Sequence, residues 1–153
     1  MKVLVTGASG FVGSTLCAHL LAKGHAVRGA VRSTSDKPLP GVDVRVVSDL
    51  SADTNWSEAL ADINVVVHCA ARVHIMNEAS VDPLTAFREA NVKGTACLVK
   101  QAVDSAVKKF VYISSIPSTH EKYLNLCIKN NFNIICEKPI ITNLKKTKFI
   151  LKK

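Results

Sequence analysis

Near the start of the chain a short apolar run, Lys2-Val3-Leu4-Val5-Thr6, passes directly into Gly7-Ala8-Ser9-Gly10-Phe11-Val12-Gly13. From Phe11 to Lys23 apolar residues recur at helical spacing, and Gly24 is a natural stop. A strand, a turn with glycine at every third position, then a helix leaves few folds open. Gly7 permits the tight turn without a Cβ clash, Gly10 lets the backbone approach a pyrophosphate, and Gly13 lets the helix pack close to the strand. The helix start offers free N–H groups and a partial positive charge to an anion. Gly7, Ser9, Gly10, Phe11, Val12 and Gly13 are therefore candidate cofactor contacts. A glycine turn with no ligand is the competing reading, and the strand–turn–helix context weighs against it.

The same alternation continues along the chain. Strands are expected over Lys2–Thr6, Ala26–Val31, Asp43–Val47, Asn64–Cys69, Lys109–Ser114 and Asn133–Cys136. Helices are expected over Phe11–Lys23, Trp56–Ala61, Pro83–Ala106, Thr119–Asn130 and Asn143–Lys153. Near-continuous apolar strands between helices predict a parallel sheet covered on both faces. Right-handed crossovers then predict an α/β, doubly wound, six-stranded parallel sheet of order 3-2-1-4-5-6. Ligands in such sheets bind at the carboxyl ends of the strands, where the strand order reverses.

At 153 residues the chain fits one domain, residues 1–153, with no room for a separate substrate domain. Apolar residues at 48% and charged residues at 21% fit a folded domain rather than a disordered one. The apolar runs are far shorter than a bilayer span, and no signal peptide is read. The five cysteines are widely spaced, with no C-x-x-C pair, so neither a metal site nor a disulfide framework is expected. Reduced cysteines in a cytoplasmic protein are the expectation.

The net charge of +8 is unevenly placed. Residues 1–115 carry twelve basic against ten acidic side chains, and residues 116–153 carry eight lysines against two glutamates. The first segment also holds all 7 glycines, all 5 arginines, 16 alanines and 19 valines, and the second holds none of these. That split reads as two segments of different origin joined near Ser115–Pro117. With 5% aromatic residues, no stacking motif and lysines spread over helix faces, neither nucleic acid nor membrane is an expected partner.

Further motifs follow the glycine loop in order: Asp49-Leu50, His68-Cys69-Ala70-Ala71-Arg72, Asn91-Val92-Lys93-Gly94-Thr95, and Phe110-Val111-Tyr112-Ile113-Ser114-Ser115. With the loop, they make residues 1–115 resemble the extended short-chain dehydrogenase/reductases, the Rossmann-fold sugar-nucleotide epimerases and dehydratases. The resemblance implies that Asp49 and Leu50 contact adenine. It implies that Cys69, Ala70, Ala71 and Arg72 lie beside the pyrophosphate and nicotinamide ribose, and that Asn91 is a further cofactor-binding residue. It also implies an active-site Ser or Thr at Ser114 or Ser115. An acid roughly 20 residues past the loop would bond a ribose 2′-OH. From Val27 to Ser35 there is none, whereas Arg28, Arg32 and Ser33 suit a 2′-phosphate, so NADP is favoured over NAD.

That family works with a Tyr and a Lys four residues apart on one helix face. Here Tyr112 is followed at that spacing by Ile116, and Tyr123 by Cys127. After Ser115, the run Pro117-Ser118-Thr119-His120 and then Ile135-Cys136-Glu137-Lys138-Pro139 resembles the glucose–fructose oxidoreductase/inositol dehydrogenase family. The resemblance would put Lys138 near a nicotinamide. Joining the two at a shared strand moves that lysine outward by one strand, about 4.8 Å, so a strand-end surface lysine is the competing reading. The expectation is an engineered chimera that binds NADP or NAD without turnover. The alternative is residual oxidoreductase or nucleotide-sugar epimerase activity through Ser114, Ser115 or Lys138. Loss of the parents' partner elements would expose apolar surface and favour a homo-oligomer.

Overall fold

The computed structural model describes residues 1–33, 39–72 and 82–113, with Asn125, Ile128 and Lys129 beyond them. Within these residues the strands are β1 (Lys2–Thr6), β2 (Ala26–Val31), β3 (Asp43–Val46), β4 (Val65–His68) and β5 (Lys109–Tyr112). They form one sheet of order β3-β2-β1-β4-β5, and every neighbouring pair is parallel. The expected order holds for five strands. The expected sixth strand, Asn133–Cys136, and the helices Thr119–Asn130 and Asn143–Lys153 lie outside the described residues.

The period-two alternation of each strand divides the core into two layers. Val3, Val5, Val27, Val31 and Val67 point to one face, where Cys17 of helix α1 (Phe11–Ala22) closes over them. Leu4, Ala30, Val66 and Phe110 point to the other. That layer is sealed by Ala59 and Leu60 of helix α2 (Ser57–Leu60), by Trp56 before it, and by Leu98, Val99 and Ala102 of helix α4 (Thr95–Asp104). Because β1 is flanked by β2 and β4, the chain changes direction across the sheet between β1 and β4. The crevice of the fold opens there, at the carboxyl ends of those strands.

The single long helix expected over Pro83–Ala106 is interrupted. Helix α3 (Pro83–Arg88), started by the Asp82 side chain accepting from the Thr85 N–H, passes into a π turn over Glu89–Gly94 before α4. Apolar periodicity does not distinguish a π turn from continuous α-helix. Here it is tied to two side-chain demands described below.

Two buried polar groups fix the sheet. Arg28, 5% exposed, donates Nε to Asp43 Oδ2 at 2.8 Å across the β2–β3 pair. Its Nη1 donates to the carbonyls of Glu58 at 3.0 Å, Ala59 at 3.2 Å and Ala61 at 2.8 Å, groups that the end of short α2 leaves open. His68, wholly buried, is hydrogen-bonded through Nδ1 to Thr6 Oγ1 at 2.6 Å and through Nε2 to Thr95 Oγ1 at 2.9 Å. Its ring stacks on Tyr112, with centroids 5.4 Å apart. One imidazole thus joins β1, β4, β5 and α4.

Burial pushes His68 down to about 3. The unfolded chain takes up a proton near pH 6.5 that the folded chain refuses. The stability His68 contributes is thus complete above about pH 6.5 and declines as pH falls toward 3, with a slope approaching about 1.4 kcal/mol per pH unit. Urea unfolding between pH 7 and pH 4 measures this. His68→Gln, which keeps polar partners for Thr6 and Thr95 but does not titrate, should flatten the profile. A slope unchanged in that variant would assign the acid sensitivity to other groups. Phe110→Ala empties the centre of the α4-side layer and should cost about 3–5 kcal/mol by the same measurement.

Candidate functional site

The glycine loop sits at the carboxyl end of β1, and its three glycines answer to different neighbours. Gly7 has φ +64°, and a Cβ there would stand 3.0 Å from both Cα and N of Ala70. At Gly13 a Cβ would stand 2.1 Å from the Gly7 carbonyl oxygen, so the first turn of α1 lies directly on the loop. A Cβ at Gly10 would meet only the Gly7 oxygen, at 3.2 Å, and Gly10 is exposed. The loop thus packs inward through Gly7 and Gly13 and presents Gly10 outward. Gly10 caps α1 without a side-chain hydrogen bond, and no acid occupies the helix's first turn. An anion placed there meets amide donors and no like charge from that turn. Ser9 is half-buried, while Phe11 (93% exposed) and Val12 stand outward beside it.

The loop is braced from β4. Thr6 Oγ1 accepts the Ala70 N–H at 3.1 Å while bonding His68, so the segment Cys69–Ala70 is held against Gly7. Ala71 is exposed, and Arg72 lies with its guanidinium 5.5 Å from the Phe87 ring centroid. Asn91 departs from the expectation of a direct cofactor contact. Its Oδ1 accepts the Arg72 N–H at 2.7 Å and its Nδ2 donates to the Arg72 carbonyl at 2.9 Å. Both polar atoms serve the backbone after β4, which makes Asn91 a positioning residue.

Arg28 likewise departs from its expected place. It lies in the first half of β2, paired in register with Asp43, away from the carboxyl end where a ribose phosphate would lie. Its guanidinium is committed to Asp43 and to the carbonyls at α2. Sequence spacing alone does not tell which arginine of a strand reaches the strand end. Arg32, one residue past β2, does, with Ser33 following it. Arg32 Nη1 stands 3.7 Å from Asp49 Oδ1, and the two side chains are 80% and 86% exposed. Leu50, half-buried, rests on the core layer under α4. Arg32, Ser33, Asp49 and Leu50 therefore line the β2–β3 end of the crevice, and Cys69–Arg72 line its β4 end.

Sequence reasoning does not single out Thr6 and Thr95, and it leaves His68 evenly balanced between a site residue and a satisfied core histidine; its burial and its bonds to both threonines fit the core reading. Their signal is a polar residue in step with the inward-facing apolar positions of β1 and β4. Burial pushes the Cys17 and Cys69 thiols up to about 11, so both stay protonated and unreactive at neutral pH. Among the described residues no group of three or more His, Cys, Asp or Glu could hold a metal, and no helix is long and apolar enough to cross a membrane. Ser114, Ser115 and Lys138 lie outside the described residues.

Known proteins share this arrangement. The chain is 44% identical over 127 residues to a UDP-glucose 4-epimerase of Vibrio cholerae, covering 82% of this chain and 38% of that protein. It is 38% identical over 116 residues to a 3-beta-hydroxysteroid dehydrogenase of Mycolicibacterium neoaurum, covering 74% of this chain and 32% of the relative. It thus spans about a third of the length of these curated relatives. Among solved structures, MoeE5 in complex with UDP-glucose and NAD superposes with a TM-score of 0.61 at 32% identity, over 76% of this chain and 37% of that one. The UDP-glucose 4-epimerase of Thermus thermophilus in complex with NAD gives a TM-score of 0.61 at 30% identity, over 75% of this chain and 38% of that one. The model of the NAD dependent epimerase/dehydratase family matches residues 3–125, past the compositional change at Ser115. By that match, the chain belongs to the NAD dependent epimerase/dehydratase family.

Proposed function

We propose that the chain is a dinucleotide-holding module that binds NADP in preference to NAD and does not turn a substrate over. The observation that carries the binding reading is the glycine loop, packed on Ala70 and on itself so that Gly10 and the uncapped start of α1 face the crevice. In this reading the Gly10 N–H closes the loop on the Gly7 carbonyl, the amides from Phe11 to Gly13 hold the pyrophosphate, and Ala70–Arg72 flank the nicotinamide ribose. Asp49 and Leu50 meet the adenine. A bound nicotinamide would supply hydride chemistry, and the chain's own residues bind and orient it. Arg32 supports the NADP preference. It sits at the end of β2 where a 2′-phosphate would lie, and its ion pair with Asp49 is long and exposed.

The absence of turnover rests on the tyrosines. Neither Tyr112 nor Tyr123 has a lysine four residues on, so no paired lysine lowers a tyrosine pKa for proton transfer. The further reading of residues 116–153 as a segment of second ancestry, joined to the first by design, rests on the compositional break and on Cys136-Glu137-Lys138-Pro139. The family match over residues 3–125 favours the second functional reading, residual epimerase or oxidoreductase activity; of its candidate residues Ser114 and Ser115 lie inside the match and Lys138 lies outside it.

Calorimetric titration with NADPH and NADH, followed by nicotinamide absorbance and product analysis with NADP+ or NAD+ in the presence of UDP-glucose, separates these readings. NADPH should bind more tightly than NADH, and absorbance should stay constant. Arg32→Ala should weaken NADPH about tenfold and leave NADH unchanged, the scale of one charge-assisted phosphate contact. A change of absorbance abolished by Lys138→Ala would replace this proposal with the active-enzyme reading. A chain that binds neither nucleotide would remove it altogether.

A further inference from the structure

The segment between β3 and α2, residues 47–56, forms the wall of the crevice that carries Asp49 and Leu50. It is held from one side, by the helical run that begins at the π turn. The Glu89 carboxylate pairs with Lys93 at 2.7 Å and is held below the usual carboxylate range by that lysine and, more weakly, by the backbone N–H of Ala52. Gly94 lies directly under Leu50, where a Cβ would stand 2.6 Å from Leu50 Cγ and 2.9 Å from the Ser51 backbone nitrogen. Gln101 Nε2 donates to the Thr54 carbonyl at 2.8 Å, its Oε1 accepts the Trp56 N–H at 2.8 Å, and Cys97 Sγ reaches the same Thr54 carbonyl at 3.3 Å.

Thr54 relays this grip to the wall. Its buried hydroxyl donates to the Asp49 carbonyl at 2.6 Å and accepts the Ser51 N–H at 2.8 Å. The spacing of the holding residues follows from helix geometry. Gly94, Cys97 and Gln101 recur at three and four residues, the period of one α-helical face. The wider π turn, with its i→i+5 repeat, brings Glu89 round to the same side as Gly94.

We propose that Gly94 and Gln101 are positioning residues for the base of the bound nucleotide: they fix how far the Asp49–Leu50–Ser51 wall stands from it, without touching it. The proposal rests on the dinucleotide reading above, which places the adenosine half at the β2–β3 end of the crevice. Gly94→Ala keeps a good helix former in place and drives Leu50 and the Ser51 backbone toward the base. Gln101→Ala adds no atom and frees the Thr54 carbonyl and the Trp56 N–H, so the wall loosens instead. Both changes should cost affinity for the adenosine half and spare the nicotinamide half.

The test is calorimetric titration of the whole chain with ADP-ribose and, separately, with reduced nicotinamide mononucleotide. Each variant should weaken ADP-ribose about tenfold or more, the scale of a sub-ångström to ångström misplacement, and leave the mononucleotide unchanged. In a Leu50→Ala background the loss caused by Gly94→Ala should shrink, because the side chain being pushed is gone. A variant that melts with the parent and binds ADP-ribose equally well overturns the proposal, as does an equal loss for both half-molecules. If Gly94→Ala does not fold, Gln101→Ala decides by the same criteria. A parent chain that fails to bind ADP-ribose overturns the dinucleotide reading and this proposal with it, an outcome distinct from a parent that binds and variants that match it.

Discussion

The close approach of β1 and β4 at their carboxyl ends governs everything functional in this molecule. The contact is made of backbone and of one buried imidazole. Gly7 can lie on Ala70 only because it has no Cβ, and Ala70 stays there because Thr6 accepts its N–H. Thr6 in turn is fixed by His68, and His68 by Thr95. A polar chain this deep must be fully satisfied to be tolerated, and this one is. Its effect is that the loop to which we assign the pyrophosphate is already braced in place, so binding would not have to order it.

A second support comes from the opposite direction. The π turn at Glu89–Gly94 and the helix after it hold both walls of the crevice. Asn91 secures the backbone at Arg72 on the β4 side, while Gly94 and Gln101 secure residues 50–56 on the β3 side. One helical element thus sets the width of the cleft, and the sheet sets its floor. The interruption in the helix has a physical purpose here. A straight α-helix over the same residues would not turn Glu89 and Gly94 to the same wall, because residues five apart do not share a face at 3.6 residues per turn.

Much of this was readable from the chain itself. The glycine spacing after Lys2–Thr6 gave the loop and its helix. The apolar runs gave five parallel strands in their correct order, with ends within one or two residues. What escaped was of two kinds. Arg28 and Arg32 are the same residue type four positions apart, and only the register of β2 against β3 shows that one is interior and the other stands at the strand end. Asn91 and Gln101 act on backbone groups 19 and 45–47 residues away, contacts that no local pattern encodes. The π turn was hidden for a related reason, since the groups it faces, Leu50 at Gly94 and the Arg72 backbone at Asn91, lie far away along the chain.

The buried Arg28 has a consequence for the margin of the sheet. β3 is the outermost strand on its side, four residues long and only half-buried, the kind of strand that slips easily against its neighbour. Sliding it by a single residue would turn Asp43 to the opposite face and leave a guanidinium buried without its counter-ion. The Arg28–Asp43 pair is in that sense a latch on register: it admits one alignment of the edge and makes the alternatives electrostatically untenable. The strand that carries the chain toward Asp49 and Leu50 is delivered to the crevice at a single height.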